Sequence, residues 1–365
     1  MMYQQAILLY QQKDLIYNMA YSTIDKSSLH FNPIIYTGNG GTQALTGVGF
    51  QPDWVWVKSR DVAKDHMLFD VVRGVQKSIR TNQNIVEDTS SGYLTAFGTD
   101  GFTLGGNGKT NGNGNTFVAW NWKAGNSQGS SNTAGSINTT YTSVNTTAGF
   151  SISTYTGTAA TATIGHGLGV VPKMIITKRI SGGNEDWGVY HASVGATKYL
   201  KLNAEDAEGS SSGVWNDTAP TNQVFSVGSS SLTNGSGTYV AYCFAEKAGY
   251  SKFGTYAGNG QSAGATVYTG FKPAWVMVKR TNNSTNWGIN DATRDTNTTY
   301  GNDASLYANY NVAETTSSSL NLDLLSNGFK LRSSNSDWND DGSKYIYMAF
   351  GQSIVGSNNI PATAR

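Results

Sequence analysis

The eight-residue segment QPDWVWVK (Gln51–Lys58) returns twice further along the chain, as VPKMIITK (Val171–Lys178) and as KPAWVMVK (Lys272–Lys279). A phrase repeated at domain-sized intervals means one structural unit used several times, so the repeat sets the fold before any single element is considered. Other landmarks recur in register. A Tyr-x-Gly precedes each phrase (Tyr36 to Gly38, Tyr155 to Gly157, Tyr256 to Gly258), with 16, 17 and 17 residues from the Tyr to the Pro. An Asn stands five residues before a Glu in each copy: Asn82 and Glu87, Asn203 and Glu208, Asn309 and Glu314. A strand carrying Phe102, Phe225 or Phe329 follows. Each copy then closes on an apolar run: Phe117–Trp122, Tyr239–Phe244 or Tyr345–Phe350.

These landmarks predict an all-β chain of three tandem β-sandwich repeats of jelly-roll or concanavalin-like type, over residues 31–125, 146–248 and 249–352. An N-terminal extension (1–30), a Gly/Ser/Asn/Thr linker (126–145) and a C-terminal tail (353–365) complete the chain. The linker composition predicts a flexible connection, whereas the second and third copies abut. Each Pro sits at the mouth of its strand, where the missing N–H costs least. Runs such as Trp54–Val57 and Trp275–Val278 are apolar at every position, which suits a strand buried on both faces or one whose outer face meets another surface. Residues 1–18 read as a weak amphipathic helix lacking the features of a secretory signal, and Met19 as a natural start.

Composition narrows the function. Charged residues are 13% of the chain and the net charge is +1, with no basic stripe, so nucleic acid is not an expected partner. No apolar run reaches the ~18–20 residues that span a bilayer, so membrane insertion is not expected. The 42 aromatics argue for packed strands rather than disorder. The single cysteine, Cys243, lies in a closing strand and reads as a core residue.

Chemistry-bearing patterns are sparse. Gly105–Thr110 (GGNGKT) lacks the first Gly of a phosphate loop and leads toward a strand, so a hairpin loop is the expectation. Asp337, Asn339 and Asp341 space oxygens like the opening of a calcium loop, but the position for the bidentate Glu is Met348. They are a weak calcium site; no other cofactor is expected. His30, His66, His166 and His191 form no metal-ligand spacing. Glu185, Asp186 and Asp217 are the carboxylates that a glycosidase would draw on, yet no pair stands out, and no catalytic residue is assigned. Trp187, Trp215 and Trp338 are candidate sugar-stacking platforms; Trp187 and Trp287 occupy matching positions, which favours a core role for them. The recurrent Asn and Glu read as loop-closing groups in preference to a ligand pair.

The phrases YTGNGGTQALTGVGFQPDWVWVKSR, LFDVVRG, AFGTDGFTL, TFVAWNWKAG, IGHGLGVVPKMIITKR and YTGFKPAWVMVKR resemble virion proteins of tailed bacteriophages, especially of marine bacteria, over almost all of residues 19–353. The resemblance implies a tail-fibre-like, head-fibre or decoration protein exposed on the particle. It also implies other virion proteins as partners, a homo-oligomer with a trimer as the expected state, and a host-surface glycan or other receptor as ligand. A non-enzymatic adhesin is the leading expectation. A capsid decoration or tail connector is the alternative, and a polysaccharide depolymerase comes third. Recognition is expected where the copies differ, in 182–187, 210–222 and 335–342.

Overall fold

The computed structural model describes residues 24–294, 304–317 and 322–353; the helix expected over residues 1–18 lies outside them. The described chain is all-β, its helix confined to the single turns Ser27–Leu29, Gly108–Asn111 and Ser212–Trp215.

One strand order appears in all three copies. In the first, the order is Ile34–Thr37, Thr116–Trp122, Trp54–Ser59, Met67–Asp70, Lys77–Arg80, Asp88–Thr89, all antiparallel. The third repeats it with Ser251–Ala257, Lys344–Gly351, Pro273–Arg280, Trp287–Asp291, Ala304–Tyr307 and Thr315–Thr316. The second does so from Phe150–Gly157 through Gly237–Phe244, Met174–Arg179, Trp187–His191 and Lys198–Lys201 to Gly209–Ser210, and adds Tyr141–Asn145 outside Phe150–Gly157. A smaller sheet covers each large one, carrying Phe102 in Gly101–Leu104, Phe225 in Val224–Val227 and Phe329 in Gly328–Leu331.

That added strand revises the reading of residues 126–145 as a flexible linker. Asn126 N–H donates to Asp53 Oδ2, Gln128 Nε2 to the Val72 carbonyl, and Ser130 and Ile137 bridge to Thr142 and Ile164. Ser, Thr and Asn side chains supply the hydrogen bonds, so a segment with little apolar surface is held without a core of its own.

Strand alternation explains the all-apolar runs. Val55 and Val57 face the small sheet of their own copy, whereas Trp54 and Trp56 face the centre of the molecule. Ile175 against Met174 and Ile176, and Val276 and Val278 against Trp275 and Met277, divide in the same way. The inward residues of all three sheets form one shared core, in which Trp54, Trp122, Trp275, Phe244 and Phe350 pack with ring centroids 4.4–6.2 Å apart. Each buried side chain of this size contributes about 1.5–3 kcal/mol. A lone copy would leave that face in water. Phe31 covers one end of this core, on Trp122 and Phe350.

The Tyr-x-Gly landmark has a geometric cause. Tyr36, Tyr155 and Tyr256 donate their hydroxyls to the carbonyls of Thr110, Thr233 and Trp338 at 2.6, 2.6 and 2.7 Å. Each ring stacks on the first aromatic of its closing strand (Phe117, Tyr239, Tyr345). The glycine two residues on lies so close to the opposing chain that a Cβ would stand 2.3, 2.1 and 2.1 Å from the carbonyls of Gly112, Gly235 and Asp340. Only a residue without a side chain fits there.

Candidate functional site

The charged and aromatic groups that could carry chemistry converge on the three junctions between copies. After each recurrent Asn the chain turns outward and its Glu docks on the next copy. Glu87 N–H donates to the Ile180 carbonyl (3.2 Å), Glu208 N–H to Thr281 (2.8 Å) and Glu314 N–H to Arg60 (2.6 Å). The third of these bonds returns to the first copy, so the ring closes within one chain.

The Asn and Glu themselves are structural. Asn82, Asn203 and Asn309 accept through Oδ1 from the backbone N–H of His66, Trp187 and Trp287, and donate through Nδ2 to Asp65, Asp186 and Asn286. Glu87 pairs with Arg73 at 3.2 Å, and Glu314 with Arg294 at 3.1 Å and Arg60 at 2.9 Å. Burial would raise Glu314, but the Arg60 hydrogen bond and both guanidiniums hold its carboxyl below the ordinary value.

Trp187 is buried with no face for a sugar: its Nε1 donates across the first junction to the carbonyls of Arg80 (3.0 Å) and Gln83 (3.1 Å). Trp287 does the same at the second junction, to Lys201. In the first copy His66 takes this place. Its Nδ1 accepts from Trp56 Nε1 at 2.9 Å, and the carbonyls of Tyr307 and Tyr310 lie before its other edge, although Nε2 reaches neither in full hydrogen-bond geometry. Burial, with Lys58 second, holds His66 well below 6.5, so the ring is neutral. Trp215 is buried against Tyr190 and Phe225, and Trp338 lies in the core of the third copy.

The calcium-loop oxygens are already engaged. Asp337 accepts from the backbone N–H of Asn286 at 3.0 Å. Asn339 is buried and accepts from Asn259 N–H while its amide donates to three oxygens; Asp341 is exposed. Asn111 and Asn234 make the corresponding clamps in the other copies, so the Asn339 position serves the turn. Among the described residues no group of three His, Cys, Asp or Glu is placed to hold a metal ion. Asp186 is tied to Asn203 and Lys201, which outweigh burial and lower its carboxyl, and Asp217 is exposed on a separate loop. Gly108–Asn111 is one helical turn capped by Asn107 instead of a hairpin loop, and Lys109 pairs with Asp65 at 2.9 Å. Cys243 is buried in the second copy's core.

Two sets of residues escape a reading of the sequence. The lysine ending each eight-residue phrase is one. Lys58, Lys178 and Lys279 are buried, and desolvation pushes each down to about 8. Lys178 donates across the first junction to the Asn84 carbonyl and Lys279 across the second to that of Glu205. The conserved place of Lys at the end of all three phrases was the available signal. The other set is an Asp-x-x-Arg pair in two copies, Asp70 with Arg73 and Asp291 with Arg294, each at 2.5 Å and fully buried. Burial opposes the charge on Arg73, but Asp70, Tyr242 and Glu87 more than offset it.

A ring of three interlocked, sandwich-like all-β copies is thus the class that the geometry defines. The chain belongs to the DUF7483 family, a domain of unknown function whose model matches residues 26–353. Comparisons with curated proteins and with solved structures returned no match.

Proposed function

We propose that this chain is a non-enzymatic structural protein of a tailed-bacteriophage particle, surface-exposed on the virion, that presents its outer loops to a host-surface glycan or other receptor. The observation that carries the reading is where the chemically capable groups lie. The buried carboxylates, guanidiniums, lysines and Trp187 and Trp287 are spent on joining the copies, which makes a rigid platform. The resemblance of the repeated phrases to phage proteins supplies the setting, and each copy is read as a jelly-roll or concanavalin-like sandwich. Asn216–Gln223 is the best candidate for contact: a polar loop, exposed at most positions, with Asn216 and Asp217 both at positive φ (50° and 46°). Two adjacent non-glycine residues in that region store strain of the kind found at ligand-contacting loops.

Other virion proteins are the proposed partners, with no cofactor. Because the ring uses its own threefold contacts, a homo-oligomer, a trimer in this reading, joins through other surfaces. Purified protein incubated with host envelopes and with a glycan array tests the receptor role; no binding by correctly assembled protein overturns it. A purely structural decoration or connector is the second reading, favoured by the same spending of polar groups on junctions. Electron microscopy of labelled virions separates them: a distal tail position supports the first and a head or neck position the second.

A further inference from the structure

The three junctions are related by the strand registers, and the third, between copies three and one, holds a cavity of about 250 Å³. Its walls have counterparts at the first junction. Trp54 faces Trp122 and Asp70, as Trp275 faces Phe350 and Asp291. Ala274 therefore matches Asp53, Thr293 matches Val72, and Gln352 and Ser353 match Ala124 and Gly125. Phe31 bridges to Trp122 as Phe150 pairs with Phe244, so Phe31 and Asn32 match Phe150 and Ser151.

At the first junction this place is filled by the connecting segment. Asp53 Oδ2 accepts from Ala124 N–H (2.7 Å) and Asn126 N–H (2.8 Å), and Gln128 Nε2 donates to the Val72 carbonyl (2.7 Å). At the third junction Ala274 vacates the carboxylate's volume, and the cavity lies where that segment would run. Its lining offers neutral hydrogen-bonding groups from Ser28, Asn32, Thr293, Gln352 and Ser353 beside Phe31, without a charged side chain.

We propose that the third junction is an acceptor site for an extended, uncharged polar peptide segment of a partner protein, bound as Asn126–Ser130 is bound at the first. An amide side chain of the guest donates to the Thr293 carbonyl, the counterpart of Val72. The neutral lining selects against charged guests, whose desolvation nothing would offset. The inference stands apart from the receptor reading, since it concerns a protein partner at a junction rather than the outer loops.

The test uses the full chain and a fluorescent peptide copying residues 125–133, GNSQGSSNT, followed by anisotropy. Saturable binding is expected, weakened at least threefold when the peptide's Gln is replaced by Ala. Ala274→Asp restores the acceptor found at Asp53 and should tighten binding about fivefold, the worth of one hydrogen bond of ordinary strength. Ala274→Lys, which copies Lys173 of the second copy, should weaken it at least fivefold with an unchanged melting curve. No saturable binding, or equal affinity for both variants and both peptides, overturns the proposal. Binding that appears only after deletion of residues 354–365 overturns it in favour of the chain's own tail. Self-association abolished by Ala274→Lys overturns it in favour of a second copy.

Discussion

Tyr242 of the second copy donates its hydroxyl to Asp70 Oδ2 of the first, at 2.6 Å, inside the shared core. The matching residue in the first copy, Trp120, donates Nε1 to Asp291 Oδ2 of the third at 2.9 Å. The third copy has Met348 there, which has no proton to give. Its neighbour across the second junction is correspondingly His191, whose Nε2 meets the Tyr347 carbonyl at 3.3 Å, and burial holds that imidazole near 4, neutral. An anion thus occurs only where a donor faces it.

Tyr242→Phe should therefore cost about 1.5–3 kcal/mol, the worth of a hydrogen bond to a charged group. Met348→Leu, which breaks no such bond, should cost under about 1.5 kcal/mol. Urea unfolding of the two variants measures the difference, and equal losses would remove Asp70 as the cause.

Gly157→Ala should destabilise the protein by about 1–3 kcal/mol or more, because the new Cβ meets the Gly235 carbonyl, which is backbone and cannot swing aside. Gly108→Ala is the control. It lies in a helical turn with nothing within 4 Å of the added carbon, so its effect should be neutral or slightly stabilising. Thermal melts of both variants check the contrast.

Stability should rise as pH increases from about 8 to about 10. Lys58, Lys178 and Lys279 have folded values near 8, below the unfolded 10.5. Between those limits the unfolded chain binds more protons, and the sign of the linkage makes stability climb. Above pH 10 the direction reverses, because burial raises Tyr36, Tyr155, Tyr242 and Tyr256 well above their ordinary value, and stability held by a raised value is lost as pH rises. Chemical denaturation at pH 7, 8.5, 10 and 11 would trace the maximum; a flat or falling profile from 8 to 10 contradicts the burial of the lysines.

Trp187→Phe should lower stability by about 1–3 kcal/mol, since the Arg80 and Gln83 carbonyls lose a buried donor. Host-envelope binding per folded molecule should stay unchanged. A loss of binding in a variant of unaltered stability would return Trp187 to the ligand.

The repeated phrases, with their Tyr-x-Gly, Pro-led strand, Asn-to-Glu spacing, Phe strand and closing strand, determine an all-β chain and locate its copies, because each landmark answers a local demand: a close backbone approach at Gly157, a loop closed by Asn203, a strand entered through Pro273. The same local logic marked Cys243 as core. Tertiary structure alone decided the rest. Trp56 and Val57 look alike in sequence, and only the ring puts one in the shared centre and the other under its own small sheet. Lys178, Arg73 and Trp187 meet partners roughly 100 residues or more away or across a junction, and Gln128 turns a polar stretch into a packed one. Such pairings depend on which surfaces the copies turn toward one another, a relation between distant segments that no local pattern encodes.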